Sequence, residues 1–160
     1  MISQSANSPS LARAEKPCFS VGWGWVALSL ALAIHVLDEA SHDFLSFYNP
    51  IVARIRESAR FLPIPTFTFR TWLVGLISAV VLLLALSPFA FAVDRGRSRW
   101  FGWPAVILAA LMTLNGLTHI AGMIYYRWLV PGIYSAPLLL VASGYLFLAL
   151  RRTQHDLEQR

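Results

Sequence analysis

Cysteine is almost absent from this chain: Cys18 stands alone. A single thiol excludes an intramolecular disulfide and every Cys-x-x-Cys metal site. It lies close to the first apolar run, where acylation is chemically open, although an idle thiol is the plainer reading. Charge is scarce as well. Only 13% of the residues are Asp, Glu, Lys or Arg, against roughly 25% in an ordinary soluble domain. The hydrophobic share of 57% and a mean hydropathy of +0.58 then exclude a soluble globular class and imply a membrane protein. The few charges are unequal, 13 basic against 8 acidic. In a soluble chain that excess would point to nucleic acid. Here the basic residues fall between apolar runs, as cytoplasmic loops require, so the expected partner is the lipid bilayer and not nucleic acid.

Long apolar runs are what the chain has in plenty. Residues 1–20 mix Ser, Asn, Pro and basic residues without apolar periodicity and read as a tail. Val21 to about Ala40 forms span one, opened by Gly22-Trp23-Gly24-Trp25, whose indoles suit the headgroup level. A cleaved signal peptide competes, because Arg13 and Lys16 precede the run and Ala31-Leu32-Ala33 imitates a cleavage site. The leader is long, however, and the apolar run continues past Ala33. Next, Asn49-Pro50 reads as the N-cap and first residue of a helix to about Leu62. Ile51, Val52, Ile55, Ala59 and Leu62 form its apolar face, opposite Arg54, Glu57 and Arg60. It either lies in the lipid interface as a lid or packs on the end of the other helices.

Further spans are expected over about 69–93, 103–126 and 133–150, with Gly75 and Ala79 offering span two a close helix approach and Pro88 a kink. The fold class is an all-α membrane protein: a four-helix transmembrane bundle over residues 21–152, an amphipathic interfacial helix between spans one and two, and a tail over 153–160. Four spans put Arg13, Lys16, Arg95, Arg97, Arg99, Arg151, Arg152 and Arg160 on one side, and Arg54, Arg56, Arg60, Arg70 and Arg127 on the other. That distribution places both termini in the cytoplasm of a multi-pass protein of the cell (inner) membrane.

Against this apolar background one stretch is out of place. His35, Asp38, Glu39 and His42 fall at i, i+3, i+4 and i+7 near the end of span one, sharing one helical face. Ionisable groups at membrane depth are costly and point to function. Span three runs parallel to span one in this topology and carries a second i, i+4 pair, Asn115 and His119, at similar depth. If the two faces oppose each other, His35 lies level with Asn115 and Glu39 with His119. The loop 125–132 closes over the same end, with Pro131-Gly132 as its turn.

Two imidazoles and a carboxylate are what a divalent ion requires, Zn foremost, with one position left for water. His35, Glu39 and His119 are the expected ligands. Asp38 and Glu39 are the catalytic candidates, Asp38 as general base, and Asn115 and His42 stand beside the ligands as supports. Asp38 and Glu39 also occupy the last turn of span one, where the helix dipole disfavours anions, so a cation is called for. Taken singly, each membrane His or Asn is more often interhelical glue than a ligand.

His35-x-x-Asp38-Glu39, Asn115-x-x-x-His119, and Pro131-Gly132 followed by Ser135-Ala136 resemble the motifs of the HXXEE family of small integral membrane proteins. Asp38 departs from the family pattern, which has Glu there; the charge is kept and the reach altered. The resemblance implies a multi-span membrane fold and supplies no reaction. From the residues, the leading expectation is a metal-binding membrane protein, a metal-dependent hydrolase acting on a lipid or other apolar small molecule. The alternatives are an ion- or proton-coupled carrier or sensor, and a structural protein whose polar cluster locks its helices together.

Overall fold

The computed structural model describes residues 20–61, 63–95 and 99–158. The expected N-terminal tail with Cys18, the middle of the basic loop at 96–98 and the last two residues lie outside them. Among the described residues there are helices and no strands. Helix α1 spans Val21–Ser41, α2 Phe44–Ser58, α3 Phe69–Ala85, α4 Ser87–Asp94, α5 Gly102–Tyr126 and α6 Ala136–Glu158, with one 3-10 turn over Arg99–Phe101.

Helix α1 begins where a Ser precedes the apolar run: Ser20 in extended conformation accepts the Trp23 N–H through its side chain. Its other free amides are met from α4. The Asp94 carboxylate accepts Val21 N at 2.8 Å, Gly22 N at 3.0 Å and the Ser20 hydroxyl at 2.6 Å. An anion is thereby fixed at the positive end of α1.

Helices α3 and α4 form one apolar rod, Phe69–Asp94, interrupted at Leu86. The interruption has the cause the sequence indicated. Pro88 has no N–H for Leu84 O, and the Ser87 hydroxyl bonds that carbonyl at 2.6 Å. The Trp25 indole donates to Leu83 O at 2.6 Å in the same region. Trp25 was expected at the headgroup level beside Trp23. It is instead a core residue, 2% exposed and packed on Phe101, because that carbonyl gives its N–H a partner inside the protein; Trp23 is 63% exposed.

Helix α6 runs back along α1. At one end Ser135 bonds Asp38; at the other, Gly24 leaves room for Leu146, whose Cα would lie 3.1 Å from a Cβ added there. Helix α5 packs chiefly on α6 and touches α1 little, its contact face lined by Ala105, Ala109 and Gly116. Helix α1 is the centre: 56% of its apolar window is buried within the protein, against 17% for the α3–α4 rod and for α5.

Among the described residues three helices, not the four expected, are long and apolar enough to cross a bilayer: Val21–Ser41, Phe69–Asp94 and Gly102–Tyr126. The fourth falls short for a local reason. Residues 131–135 form turns rather than helix, and Arg151 and Arg152 end the apolar stretch that starts at Ala136. At a rise of about 1.5 Å per residue that stretch covers about 22 Å, less than a hydrocarbon core near 30 Å.

The amphipathic helix between the first two spans is present with a different start. Helix α2 begins at Phe44, after Asp43 in the left-handed conformation, and Pro50 lies inside it. The aromatic residues ahead of Asn49 explain the shift: Phe44 stacks on Trp72, and Phe47 meets Tyr126 and Trp128 edge-on. That packing outweighs the proline's cost. Asn49 caps nothing; its amide donates to Phe67 O at 2.9 Å and accepts Phe67 N at 3.1 Å, pinning the loop before α3. Gly75 also departs from expectation. A Cβ there would meet nothing within 4 Å, so Gly75 makes no close helix approach; it faces open space.

Candidate metal centre

The polar face of α1 meets α5 and the loop before α6 at the end where α1 stops. His35, Glu39 and His119 are all buried, at 1%, 6% and 7% exposure. Glu39 Oε1 stands 3.5 Å from His35 Nε2 and 3.3 Å from His119 Nε2. The two imidazoles meet edge to face with centroids 4.7 Å apart, and Asn115 Nδ2 lies 3.2 Å from His35 Nε2. The helices are thus in the register that the two four-residue spacings give on parallel helices.

The distances can be weighed. A charge-assisted hydrogen bond between imidazolium and carboxylate runs about 2.7–2.9 Å. Two donors each about 2.0–2.1 Å from a tetrahedral ion stand about 3.3–3.4 Å apart. The two separations from Glu39, 3.5 and 3.3 Å, lie nearer the second. One donor atom from each of the three residues falls within 4.8 Å of the others, so the group could hold a metal ion.

A network behind the group fixes His35. Its Nδ1 lies 2.8 Å from Ser135 Oγ. Ser135 in turn gives its N–H and its O–H to Asp38 Oδ2, at 2.9 and 2.7 Å. The hydroxyl has one proton and the carboxylate can only accept, so His35 Nδ1 is the donor to Ser135. Neutral His35 then carries its lone pair on Nε2, the atom facing Glu39 and Asn115. A lone pair opposite a carboxylate oxygen leaves the space between them for a cation, and a ligating histidine is ordinarily held this way through its other nitrogen.

Asp38 does not point into the group. One carboxylate oxygen receives both Ser135 bonds, and the other lies 3.0 Å from His42 Nδ1. The negative charge that looked misplaced at the end of α1 therefore sits at the start of α6, where free amides and the dipole favour it. His42, with its side chain 47% exposed, reaches the group only through Asp38. Asn115 touches His35 directly.

Two residues without an assigned part in the sequence belong to the site. Ser135 is one. Gly132 is the other: its φ is +85°, and a Cβ there would lie 2.6 Å from His119 Cε1, 2.9 Å from His119 Nδ1 and 2.9 Å from His35 Cε1. The chain passes so close to both rings that only glycine fits. The signal was the Pro-Gly turn followed three residues on by Ser. On the remaining side Phe44 of α2 stacks on Trp72 and lies 6.2 Å from the His119 ring, both measured between centroids.

No curated protein and no solved structure matches the chain. A family model does, over residues 25–147, described as a protein of unknown function with an HXXEE motif. The match takes in His35 to Glu39, Asn115, His119, Gly132 and Ser135, every residue of the group and its support. The chain belongs to the HXXEE family, whose function is unknown.

Proposed function

We propose that this protein is a metal-dependent hydrolase of the cell membrane, acting on a lipid or other membrane-soluble ester. The observation that carries the reading is the placing of Glu39 Oε1 3.5 and 3.3 Å from two buried imidazole nitrogens, spacing that suits an ion between them. His35 and His119 ligate through Nε2 and Glu39 through Oε1. Two nitrogens and one oxygen in a small buried group favour Zn and leave a position for water. When bound, the ion lowers the pKa of that water to about 7. Hydrolysis of an ester here would join a water oxygen to the carbonyl carbon and break the acyl C–O bond, giving acid and alcohol, with the water's proton ending on the alcohol oxygen. Glu39 would carry that proton on its second carboxylate oxygen, Oε1 being given to the ion. Asp38 with Ser135 holds the His35 ring instead of acting as base, and Asn115, whose amide faces the same Nε2 at 3.2 Å, would yield that lone pair to the ion.

In the same reading α6, although its apolar stretch is shorter than the hydrocarbon core, serves as the fourth crossing because it follows α1 from Asp38, beside Ser135, to Gly24, beside Leu146, with its arginines at the headgroups; both termini are cytoplasmic, and α2 rests in the opposite interface over the site. The arginines near residues 95–99 support that orientation, and the packing of Phe44 and Phe47 supports the position of α2.

Elemental analysis of protein purified without chelator tests the centre. One divalent ion per chain is expected, lost in His35→Ala and in His119→Ala while both variants remain folded and extractable. An interhelical hydrogen bond is worth only about 0.6 kcal/mol in a membrane, so either substitution is tolerable. Wild-type protein that holds no metal and acquires no Zn, Fe or Mn at neutral pH overturns the reading in favour of a cluster that merely ties α1, α5 and α6 together.

A further inference from the structure

His35, Glu39 and Asn115 close one end of a cavity of about 430 Å³ between α1, α3 and α5. Its walls are apolar, with Val36 from α1, Leu76 and Ala79 from α3, and Leu108 and Met112 from α5. Helix α3 packs against α1 and scarcely against α5, so the space between them is left open by the fold itself. Leu82, which lines the cavity, is 59% exposed, so the cavity reaches the protein surface between α3 and α5. All three helices are among those apolar enough to cross a bilayer. What adjoins the opening is therefore hydrocarbon.

Dimensions select the occupant. The lining runs from Trp72 to Leu83 along α3 and from Glu39 to Leu32 along α1, about 10–16 Å at 1.5 Å per residue. A protein helix about 10 Å across and 16 Å long would need roughly 1,200 Å³, so no helix fits. Water is poorly held, because the walls offer it few partners. A slender apolar chain suits both girth and surroundings. The cavity also runs from the polar end of the bundle toward the middle of the helices, the direction a lipid tail takes from its headgroup.

We infer that this cavity takes one alkyl chain of an amphiphile, entering sideways from the bilayer between α3 and α5, with the oxygen-bearing head of the molecule against His35, Glu39 and Asn115. The inference rests on the reading of the same residues as a metal-dependent hydrolytic site and names its substrate class: single-chain or splayed-chain acyl compounds. Phe44 and Trp72, stacked on each other, both line the polar end of the cavity. They close it beneath α2, so the chain enters between α3 and α5 and not from the aqueous side. Ala79, the smallest side chain on the α3 wall, keeps that wall low.

The test uses the full chain in phosphatidylcholine vesicles with a palmitic acid carrying a mid-chain diazirine, and peptide mapping of the photo-adducts. Adducts are expected on Leu76, Leu83 and Met112, abolished by excess unlabelled palmitate and lost in Ala79→Trp, with bound Zn unchanged in that variant. Adducts that spread over the outward residues Val74, Val81 and Leu114 and resist competition overturn the inference, and do so from the wild-type map alone even if Ala79→Trp fails to fold. The two readings fail separately: a metal-loaded protein without competable adducts removes the chain slot only, and competable adducts on a protein that binds no metal remove the hydrolase only.

Discussion

Replacing Gly132 by Ala adds one methyl group, and the structure says where that group would go. At φ +85° the added Cβ would lie 2.6 Å from His119 Cε1 and 2.9 Å from both His119 Nδ1 and His35 Cε1. Left-handed backbone costs an L-residue about 1–2 kcal/mol, and forcing a methyl into a filled site costs a further 1–3 kcal/mol or so. The sum is about 2–5 kcal/mol. Relief by moving the rings is not free, because Ser135 holds His35 Nδ1 at 2.8 Å and Glu39 faces His119 Nε2 at 3.3 Å. If the rings yield, the loss appears in metal affinity; if they do not, it appears in stability. Both can be read on one preparation, by unfolding in mixed detergent and SDS micelles and by Zn titration. Gly75→Ala is the control: its Cβ meets nothing within 4 Å, and a helical Gly→Ala change should stabilise by about 0.5–1 kcal/mol. A Gly132→Ala protein within about 0.5 kcal/mol of wild type, with unaltered Zn affinity, would refute the packing described around the two rings.

Ser135→Ala removes the hydroxyl between His35 and Asp38; a stability loss of about 0.6–1.7 kcal/mol and a 10–100-fold or so weaker Zn affinity are expected, and unchanged affinity would detach Ser135 from the orientation of His35. Asp94→Ala strips three bonds from the start of α1 and should cost about 1–2 kcal/mol with Zn affinity intact, visible as faster hydrogen exchange at Val21 and Gly22. Cysteines introduced at Ser20 and His155 should resist an impermeant thiol reagent in intact cells; ready labelling without lysis would reverse the proposed orientation. Spin labels along α2, residues 44–58, should show shallow depths that oscillate with helical period, and a steady rise to bilayer-centre values would rule out an interfacial helix.

The parts of the fold that were legible in the sequence are those set by one segment alone. The onset of the apolar run at Val21 locates the start of α1, Pro88 locates the break in the second rod, and the four-residue spacings of His35/Glu39 and Asn115/His119 give the register of α1 against α5. What was not legible depends on a partner elsewhere in the chain. Trp25 looks like an interfacial indole until Leu83 O supplies a buried acceptor. Asn49-Pro50 has the form of a helix start, and only the stacking of Phe44 on Trp72 shows why the helix begins earlier. Ser135 reads as a turn residue because its value comes from α6 returning along α1. Counting apolar residues from Ile133 likewise overstated the fourth span, since the turn at 131–135 takes the first of them out of the helix.

The acidic residues, few as they are, separate the metal reading from the structural one more sharply than the histidines do. Asp94 and Asp38 are each held by backbone amides at the start of a helix, α1 and α6 respectively. Such an anion is stabilised without any metal, by hydrogen bonds and by the dipole it caps. Glu39 differs. It is 6% exposed, on the last turn of α1 where the dipole is unfavourable, and its polar contacts among the described residues are the two imidazole nitrogens. One of those, His35 Nε2, is the lone-pair side of its ring, because Nδ1 is committed to Ser135. A merely structural cluster would place a hydrogen-bond donor toward Glu39 from both rings. A cation bound between the three side chains would neutralise Glu39 and take the lone pair of His35 Nε2, and Glu39 Oε1 stands 3.5 and 3.3 Å from the two ring nitrogens that would share it.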